Sequence, residues 1–359
     1  MIHFVVGTKA QLVKIAPVMM ELRERKIPYN FIFTGQHQET MERIRSNFDI
    51  KDPDITLHHG KDITSVVSMF FWLIKIVFKT LTSRKQIFKG DKKGIVLVHG
   101  DTFSTLLGAI MGKLAGHKVA HVESGLRSFN LFHPFPEEIT RLLTFRLSDI
   151  YLCPGEWAVK NLESHKGQKI DTEYNTLLDS LRQAIKNFDT TEIEVPKGKY
   201  AICTTHRFEN IFKKETFEKN LDLIEGIAKK IKVVFILHPV TEKKLKEFSL
   251  LDRLEKNGNI ELRPRYDYFE FMKLVYHSDF VISDGGSNQE ECFYMGKPCL
   301  LLRKTTERQE GLSANVVISE YKQQIVDKFL NEYQKMKGGV LDALSSPVKI
   351  IVDNIESYQ

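Results

Sequence analysis

The sequence DFVISDGGSNQEE, residues 279–291, contains a short apolar run, a polar turn with two adjacent glycines and the start of a helical pattern. This order is typical of a strand–turn–helix unit that binds phosphate, because glycine lets the backbone approach an anion and a helix N-terminus offers free N–H groups. A plain turn capped by Ser or Asp is the alternative. We interpret Gly285, Gly286 and Ser287 as candidate phosphate-binding positions, and Glu291, about one helical turn further, as a candidate partner for ribose hydroxyls.

Similar units extend outward from this one in both directions. Apolar, strand-like runs alternate with helical patterns at residues 2–6, 31–34, 94–98, 118–122, 150–153, 200–204, 233–237, 280–283 and 299–302, with a pause at 164–200. The alternation predicts an α/β protein with two Rossmann-like, doubly wound domains facing across a cleft that holds the ligand. We expect domains at 1–170 and 171–342, with a C-terminal helix at about 343–359 joining the first.

The composition is that of an ordinary globular protein, with 42% hydrophobic and 27% charged residues in 359. The net charge of +6 favours anionic ligands, but the basic residues are dispersed and form no RNA-binding signature, so we expect no nucleic-acid partner. The four cysteines form no C-x-x-C pair, and the chain starts with a strand-like run rather than a signal peptide. We therefore expect buried free thiols and a cytoplasmic location.

One apolar segment needs a separate interpretation. Residues 66–81 read VVSMFFWLIKIVFKTL and precede a basic stretch that extends to Lys93. The run is short for a membrane span, and two lysines interrupt it. We favour a helix that packs into the domain or forms a dimer interface, because an apolar stripe usually means burial. Peripheral membrane contact through residues 66–93 is the alternative.

Three carboxylates are predicted to converge at strand ends in the first half. Asp101 and Glu123 each follow a predicted strand, and Glu137 begins a helix with Arg141 four residues later on the same face. Such a cluster is costly unless the carboxylates serve catalysis or pair with cations. We interpret them as candidate acid–base groups, with a structural ion-pair network as the alternative. No His, Asp or Cys spacing suits a metal, so we predict no metal site.

Basic residues follow two predicted strands of the second half. His206 and Arg207 come directly after residues 200–204 and could reach a diphosphate, and His206 could also donate a proton. Arg303 and Arg308 follow the last predicted strand and are candidate phosphate clamps. For Arg308, a solvated charged loop is an equally good interpretation.

Together these motifs resemble the UDP-N-acetylglucosamine 2-epimerase family. The resemblance covers most of the chain and rests on a combination of strings: Gly7-Thr8, Ala16-Pro17-Val18, Thr34-Gly35-Gln36-His37, His99-Gly100-Asp101-Thr102, His121-Val122-Glu123-Ser124-Gly125-Leu126-Arg127-Ser128, Pro136-Glu137-Glu138, Thr205-His206-Arg207-Phe208-Glu209-Asn210, Gln289-Glu290-Glu291 and Thr305-Thr306-Glu307-Arg308. It implies a glycosyltransferase B-type fold, a homodimer, a UDP-sugar substrate such as UDP-GlcNAc or a derivative, and no cofactor.

The resemblance also implies a reaction. Family members invert C2 of a UDP-N-acetylhexosamine: UDP leaves as the C2 proton is lost, a 2-acetamidoglucal forms, and UDP adds back. By motif match Asp101, Glu123 and Glu137 are the acid–base candidates, Arg141 orients Glu137, and His206 stabilises the departing diphosphate. The implied UDP-binding set comprises Lys9, Lys14, His206, Arg207, Tyr268, Phe271, Gly285, Gly286, Ser287, Glu291 and Arg303, with Tyr268 and Phe271 beside the uracil. The implied role is to supply precursors of surface polysaccharide, without hydrolysis of the UDP-sugar.

Some positions depart from the family pattern. Lys9 replaces an arginine and loses its bidentate fork, and the hydroxyl of the glycine loop has moved to Ser287. His59-Gly60-Lys61 stands where non-hydrolysing members carry a Pro-Gly-Gln used in allosteric substrate binding, which argues against activation by UDP-GlcNAc. Two other functions stay open: a membrane-associated glycosyltransferase that uses a UDP-sugar on the same fold, and a silent nucleotide-sugar-binding module, which the retained carboxylates disfavour.

Overall fold

The computed structural model describes residues 1–36, 41–60, 62–63, 66–131, 135–336 and 338–358. The polypeptide divides into two compact units, Met1–Gln183 with Leu344–Gln359, and Ala184–Ala343. His37 and Lys61, which belong to strings compared with the family pattern, lie outside the described residues.

The first unit is built on a parallel sheet. Its strands are β1 (Ile2–Val6), β2 (Tyr29–Phe33), β3 (Ile55–Thr56), β4 (Ile95–His99), β5 (Lys118–Val122), β6 (Ile150–Cys153) and β7 (Gln168–Asp171). Its helices are α1 (Lys9–Glu24), α2 (Met41–Asn47), α3 (Val66–Ile87), α4 (Phe103–Ala115), α5 (Glu137–Leu147), α6 (Glu156–Lys160) and α7 (Leu177–Lys186). Within the described ranges the strand order is β3-β2-β1-β4-β5-β6-β7. Central strands such as β1 and β4 are buried along their whole length, as expected for a parallel sheet covered on both faces.

The second unit repeats this plan. Its strands are β8 (Tyr200–Thr204), β9 (Lys232–Leu237), β10 (Ile260–Pro264), β11 (Phe280–Ser283), β12 (Cys299–Leu301) and β13 (Val316–Ile318). Its helices are α8 (Phe208–Ile211), α9 (Lys214–Ala228), α10 (Pro239–Glu247), α11 (Leu251–Glu255), α12 (Tyr268–His277), α13 (Gly286–Met295) and α14 (Gln323–Glu332), followed by a 3₁₀ turn at Tyr333–Lys335. In the part of the chain that the structure describes, the strands pair in the order β10-β9-β8-β11-β12-β13, all in parallel.

Both strand orders are those of a doubly wound sheet, in which the chain starts at the centre, runs to one edge and then returns to build the other half. The order reverses between β1 and β4 in the first unit and between β8 and β11 in the second. Ligands of such sheets bind beyond the carboxyl ends of the strands at these switch points. The predicted architecture of two Rossmann-like α/β domains is confirmed, and the two switch points are where functional groups are expected.

The division between the units falls after Gln183, within α7, and the sequence-based boundary at 170/171 falls within β7. The pause noted at residues 164–200 contains β7 and α7, which polar and charged residues obscured. α7 packs on the first unit, where the Ser180 hydroxyl donates to the Val13 carbonyl at 2.7 Å. The last helix, α15 (Pro347–Ile355), returns to the same unit, since Asp179 accepts the Val348 N–H at its first turn.

Helix α3 carries large apolar side chains on its exposed face as well as on its buried face. Trp72, Ile76 and Thr80 face the core, while the opposite side exposes large apolar side chains to between half and two-thirds of their surface: Phe70, Phe71, Ile74, Phe78 and Leu81. The helix geometry is interrupted at Ser83. The prediction that the segment packs into the domain is therefore correct for one face only, and the other face is an exposed apolar stripe.

Among the helices that the structure describes, none combines the length and apolar character that a membrane crossing requires. The four cysteines are buried free thiols, as the sequence predicted.

Candidate active site

Glu123 lies just beyond the carboxyl end of β5 and is buried. Its Oε1 accepts from Lys14 Nζ at 2.6 Å and from Asn175 Nδ2 at 2.7 Å, while its Oε2 lies 3.4 Å from His99 Nε2. The backbone of Glu123 has a φ of 62°, in the left-handed region that a glutamate occupies only when its surroundings hold it there. The carboxylate is thus fixed in place by groups from α1, from the end of β4 and from the segment before α7.

Asp101 follows β4 and pairs with Arg141 of α5. Arg141 Nη2 donates to Asp101 Oδ2 at 2.5 Å, and its Nη1 donates to Glu138 Oε2 at 3.3 Å. The Asp101 side chain keeps 28% of its surface exposed, whereas the Arg141 side chain is buried. Asp101 therefore pairs with a cation while part of its side chain remains accessible, which suits a group that exchanges a proton with a ligand.

Glu138, which the sequence did not single out, is the structural carboxylate of this helix. It is fully buried and accepts from Arg127 Nε at 2.5 Å and from the Ser128 N–H at 3.0 Å. Burial raises its pKa, but the Ser128 and Arg127 donors outweigh it, and the pKa of Glu138 is lowered overall. An ion-pair network therefore exists at Glu138, which is not one of the three carboxylates that the sequence singled out, while its half-buried neighbour Glu137 begins α5. The predicted pairing of Arg141 with Glu137 stays a prediction.

His121, in the strand that leads to Glu123, is a neutral structural histidine. Its Nε2 lies 2.7 Å from the Gly100 carbonyl, and its Nδ1 lies 3.0 Å from the Ser124 hydroxyl. A ring that donates from Nε2 and accepts at Nδ1 satisfies both partners. Burial lowers the pKa of His121 to about 4. The ring thereby ties the ends of β4 and β5 together behind the carboxylates.

The N-terminus of α1 is closed by its own side chains. The Thr8 hydroxyl accepts from the Gln11 N–H at 3.3 Å, and Gln11 Oε1 accepts from the Thr8 N–H at 3.1 Å, which completes a capping box. Lys9 is the first, half-buried residue of this helix. Lys14, which the family resemblance assigns to UDP, lies one turn further along and contacts Glu123. The structure thus links Lys14 to the carboxylates of its own unit.

In the second unit, Asp284 organises the switch point between β8 and β11. It is fully buried, and its carboxylate accepts from the backbone N–H groups of His206 and Arg207 at 3.0–3.1 Å and from Asn210 Nδ2 at 2.8 Å. Sequence reasoning treats Asp284 as part of the glycine loop without a role of its own. The structure shows that it holds the loop that follows β8 against the loop that follows β11, and so fixes His206 and Arg207 beside the glycines.

The first turn of α13 is open to an anion. Gly285 precedes the helix and offers no capping side chain, so the N–H groups of the first turn are left for a ligand. A side chain at Gly286 would lie 3.0 Å from Arg308 Nε, and one at Gly285 would lie 3.4 Å from the His206 ring. The glycines therefore leave room directly beside the basic side chains that the sequence predicted to bind phosphate.

Arg207 and Arg308 lie beside this helix end, Arg303 shares a glutamate with Arg207, and glutamates contact all three arginines. Glu307 accepts from Arg207 Nη2 at 3.3 Å and from Arg303 Nη2 at 2.9 Å. Burial raises the pKa of Glu307, but Arg207 and Arg303 lower it to about 2. Arg308 is also buried and lies 2.8 Å from Glu290 Oε2, so the interpretation of Arg308 as part of a solvated loop is wrong.

His206 has a side chain that is 40% exposed, and its ring stacks on that of His238 with centroids 5.3 Å apart. Burial lowers the pKa of His206, while Asp284 acts in the opposite direction. The neutral ring can then accept or donate a hydrogen bond, depending on which nitrogen carries the proton.

Glu291 is buried in α13, where its Oε2 accepts from Asn288 Nδ2 at 3.0 Å. Burial raises the pKa of Tyr268 well above its ordinary value, and the nearby Glu291 raises it further. Tyr268 is thus a neighbour of the predicted ribose-binding carboxylate. Phe271 follows one turn later in α12 and is half-buried.

Sequence reasoning assigned a role to most of these groups but none to three: Asp284, Asn175 and His99. A signal existed for Asp284, which directly precedes the glycines, and for His99, which ends β4. No role followed from the sequence for Asn175, because only the fold brings it to Glu123, from which it is 52 positions distant.

The comparison with protein families matches residues 20–342 to the family described as UDP-N-acetylglucosamine 2-epimerase. A UDP-N-acetylglucosamine 2-epimerase of Methanococcus maripaludis is 34% identical over 331 residues, which is 88% of this chain and 86% of that protein. A protein of the same name from Bacillus subtilis is 32% identical over 322 residues, covering 87% and 81% of the two chains.

Solved structures agree with this match. The crystal structure of UDP-GlcNAc 2-epimerase from Neisseria meningitidis bound to UDP-GlcNAc has a TM-score of 0.84 and 30% identity, and covers 99% of both chains. The enzyme of Methanocaldococcus jannaschii, in complex with UDP-GlcNAc and UDP, has a TM-score of 0.81 and 28% identity, and covers 100% of this chain and 99% of that one.

Proposed function

Because the chain belongs to the UDP-N-acetylglucosamine 2-epimerase family, we propose that it inverts C2 of a UDP-linked N-acetylhexosamine, with UDP-GlcNAc as the first substrate to test. The observation that carries this proposal is Glu123. A buried carboxylate with one oxygen held by Lys14 and Asn175 is a group that the fold has positioned at some cost.

The reaction divides into an elimination and an addition. In the elimination a base removes the C2 proton, the C1–O bond to UDP breaks, and the electron pair forms the C1=C2 bond of 2-acetamidoglucal. In the addition UDP re-forms the C1–O bond while an acid delivers a proton to the other face of C2. Two proton-transfer groups are required, one for each face.

Asp101, Glu123 and Glu137 are the proposed acid–base groups. Lys14 contacts Glu123, and Arg141 contacts Asp101. These contacts support carboxylates that are held in position to exchange a proton with C2. The open side of Asp101 supports proton exchange with a ligand. Arg141 and Lys14 are positioning residues in this scheme, since they act through the carboxylates that they contact.

The second unit is proposed to bind UDP. The diphosphate would take the N–H groups of Gly286 and Ser287 at the start of α13, where the helix dipole favours an anion. The N–H of Gly285 already donates to the Ser283 hydroxyl at 3.0 Å, so Gly285 would contribute by leaving room for the ligand. Arg207 and Arg303 would supply charge, and Glu291 would accept from the ribose hydroxyls. Tyr268 and Phe271 of α12 would pack beside the uracil.

His206 is proposed to stabilise the UDP as it leaves. Asp284 holds the His206 backbone, and a side chain at Gly285 would touch the His206 ring, so this ring borders the phosphate-binding turn. Hydrogen-bond donors placed where charge develops in the transition state account for a large part of many enzymes' rate enhancement.

UDP returns to the sugar in this scheme, so the enzyme is non-hydrolysing, and its product would feed the synthesis of surface polysaccharide. The experiment that tests the proposal follows UDP-GlcNAc, UDP-ManNAc, free ManNAc and free UDP by NMR in one reaction. A mixture of the two UDP-sugars without accumulation of free UDP is expected. Free ManNAc with stoichiometric UDP would identify a hydrolysing enzyme instead, and an unchanged substrate for every UDP-N-acetylhexosamine tried would refute epimerisation.

A further inference from the structure

A second cluster of polar side chains lies at the amino-terminal edge of the first sheet, the edge opposite to the one that carries Asp101 and Glu123. His3 belongs to β1, Asp91 lies in the turn before β4, and His117 directly precedes β5. One ligand atom from each of the three lies within 4.8 Å of the others, and His3 Nε2 is 3.1 Å from Asp91 Oδ2. Three separate segments thus bring two imidazoles and a carboxylate together.

His117 is the unusual member of this cluster. Only 3% of its surface is exposed, and neither of its ring nitrogens has a hydrogen-bond partner among the described residues. Its ring packs against those of His3 and Phe88, with centroids 4.9 and 4.7 Å away. A buried imidazole without a partner loses its hydrogen bonds to water and forms none within the protein, which destabilises the folded state. A ligand that binds this ring would remove that cost.

Both histidines are in the form that binds metals. Burial lowers the pKa of His3 to about 4, although Asp91 acts in the opposite direction, and burial likewise lowers the pKa of His117. At neutral pH each ring is therefore uncharged, and a neutral imidazole donates a nitrogen lone pair to a metal.

We propose that His3, Asp91 and His117 bind a divalent cation of the zinc type. Two imidazoles and one carboxylate form an established ligand set for Zn²⁺, with the fourth position left for water. Tetrahedral ligands at the usual zinc distances are about 3.4 Å apart, so the His3–Asp91 pair is already close to that spacing. Because the three ligand atoms lie within 4.8 Å of one another, the distances between them need to shorten by no more than about 1.4 Å for binding.

The environment of the cluster provides a second shell. Asn30 Nδ2 lies 2.9 Å from His3 Nδ1 and 2.9 Å from the Ile87 carbonyl, while Asn30 Oδ1 is buried without a hydrogen-bond partner. When the metal takes His3 Nε2, the proton of the ring moves to Nδ1. A half-turn of the Asn30 amide then lets Oδ1 accept that proton, and it exchanges the hydrogen bond to the Ile87 carbonyl for the one to His3. Metal-bound histidines usually donate their second N–H to such a partner.

Asp91 has two further contacts, and binding of the cation would affect them differently. Its Oδ1 accepts from the Lys93 N–H at 3.1 Å, and its Oδ2 lies 2.9 Å from the Met1 amino nitrogen. The first contact can persist beside a metal on Oδ2, and the second has to open. The cation would join β1 to the segments before β4 and β5, so its expected effect is to stabilise the first unit.

The test uses the full chain after removal of any affinity tag and treatment with a chelator. Zn²⁺ is titrated by calorimetry, and thermal unfolding is followed with and without Zn²⁺. One cation per chain is expected, and Zn²⁺ at about 100 times its Kd should raise Tm by roughly 5–10 °C. Mg²⁺, which prefers oxygen ligands, should leave Tm unchanged. Absence of saturable Zn²⁺ binding would overturn the proposal.

His117→Phe distinguishes a ligand from a packing residue. Because the His117 nitrogens have no partner among the described residues, the phenyl ring should leave the metal-free Tm unchanged or higher while abolishing the Zn²⁺-dependent shift. Asp91→Asn should weaken Zn²⁺ binding at least about tenfold. His165→Phe is the matched control, since this ring also packs on aromatic neighbours of the first unit, and it should retain the full shift. Retention of the shift in His117→Phe, or its loss in His165→Phe, would contradict the assignment.

Discussion

Lys14 Nζ lies 2.6 Å from Glu123 Oε1, and both side chains are buried in the first unit. The two residues are 109 positions apart in the chain, so the contact depends on the fold of the whole unit. In the proposed mechanism this lysine positions the carboxylate that exchanges a proton with C2. The pair therefore connects stability with activity.

Lys14→Met should reduce both the stability and the activity of the protein. Removing one partner of a buried ion pair leaves the other charge uncompensated and costs about 3–5 kcal/mol, and we expect kcat/KM to fall at least about 100-fold. Chemical denaturation and initial rates measure the two effects. Lys113→Met is the matched control, because Lys113 pairs with Asp149 at a more exposed site and should lose about 1 kcal/mol or less. Adding Glu123→Gln to Lys14→Met should restore part of the stability but no activity. Equal costs at Lys14 and Lys113 would contradict the account.

Asp284→Asn should weaken UDP binding. Asp284 accepts from the N–H groups of both His206 and Arg207, and charged hydrogen bonds of this kind contribute about 1.5–3 kcal/mol each. We expect the Kd for UDP, measured by calorimetry, to rise by about 10- to 100-fold. Asp279→Asn is the control, since Asp279 accepts the Tyr200 N–H at the opposite edge of the same sheet. It should lower Tm without changing the Kd, and a comparable loss of UDP affinity in both variants would argue against a specific role for Asp284.

Because His121 is buried, we expect the protein to lose stability in acid. Its pKa is about 4 in the folded protein, against 6.5 for an unperturbed histidine, so between these values the unfolded chain binds more protons than the folded one. Stability is complete above the higher value and falls as the pH drops towards the lower one, by about 3 kcal/mol for this one group. His121→Gln keeps a donor for the Gly100 carbonyl but does not titrate.

Urea unfolding between about pH 7.5 and about pH 4.5 measures this effect. His121→Gln should show a pH-dependent loss that is about 2–3 kcal/mol smaller than that of the wild type. His59→Gln, at an exposed position, should retain the wild-type dependence. Parallel curves for the wild type and His121→Gln would indicate that His121 is not the group responsible.

The exposed stripe of α3 predicts self-association, in keeping with the homodimer that the family resemblance implies. A contiguous row of large exposed apolar side chains is uncommon on a monomer. Phe71→Ser combined with Phe78→Ser should convert a dimer to a monomer in size-exclusion chromatography with light scattering, with little change in Tm because both side chains are exposed. Leu344→Ser, at an isolated exposed leucine, should not alter the mass. A monomeric wild type that sediments with anionic vesicles would instead favour the membrane interpretation of residues 66–93.

The sequence predicted the strands best where apolar runs are short and bounded by turn residues. The predicted bounds of β5, β6, β8 and β11 agree with the structure. β7 was missed because three of the four residues of QKID are polar and the strand lies at a sheet edge, where a strand needs no continuous apolar run. Hydrophobic periodicity reports burial, and an edge strand is only partly buried.

The site was predictable in its residue types but not in its pairings. Motifs identified Glu123, Asp101 and the glycines, because each directly follows a strand. Spacing suggested Glu137 for Arg141, which stays a prediction, but it did not suggest the contacts of Arg141 with Asp101 and Glu138. Contacts between segments far apart in the chain have no local signal, so the His3–Asp91–His117 cluster was also missed.

Solvent deuterium at C2 tests the proposed mechanism most directly. The protein is incubated with UDP-GlcNAc in D₂O, and the recovered UDP-N-acetylhexosamines are analysed by NMR and mass spectrometry. The mechanism predicts one deuterium at C2 in the epimerised sugar, strongly reduced incorporation in Glu123→Gln, and normal incorporation in the control Glu163→Gln, which alters an exposed residue of the same unit. Epimerised product without deuterium at C2, or wild-type incorporation in Glu123→Gln, would contradict it.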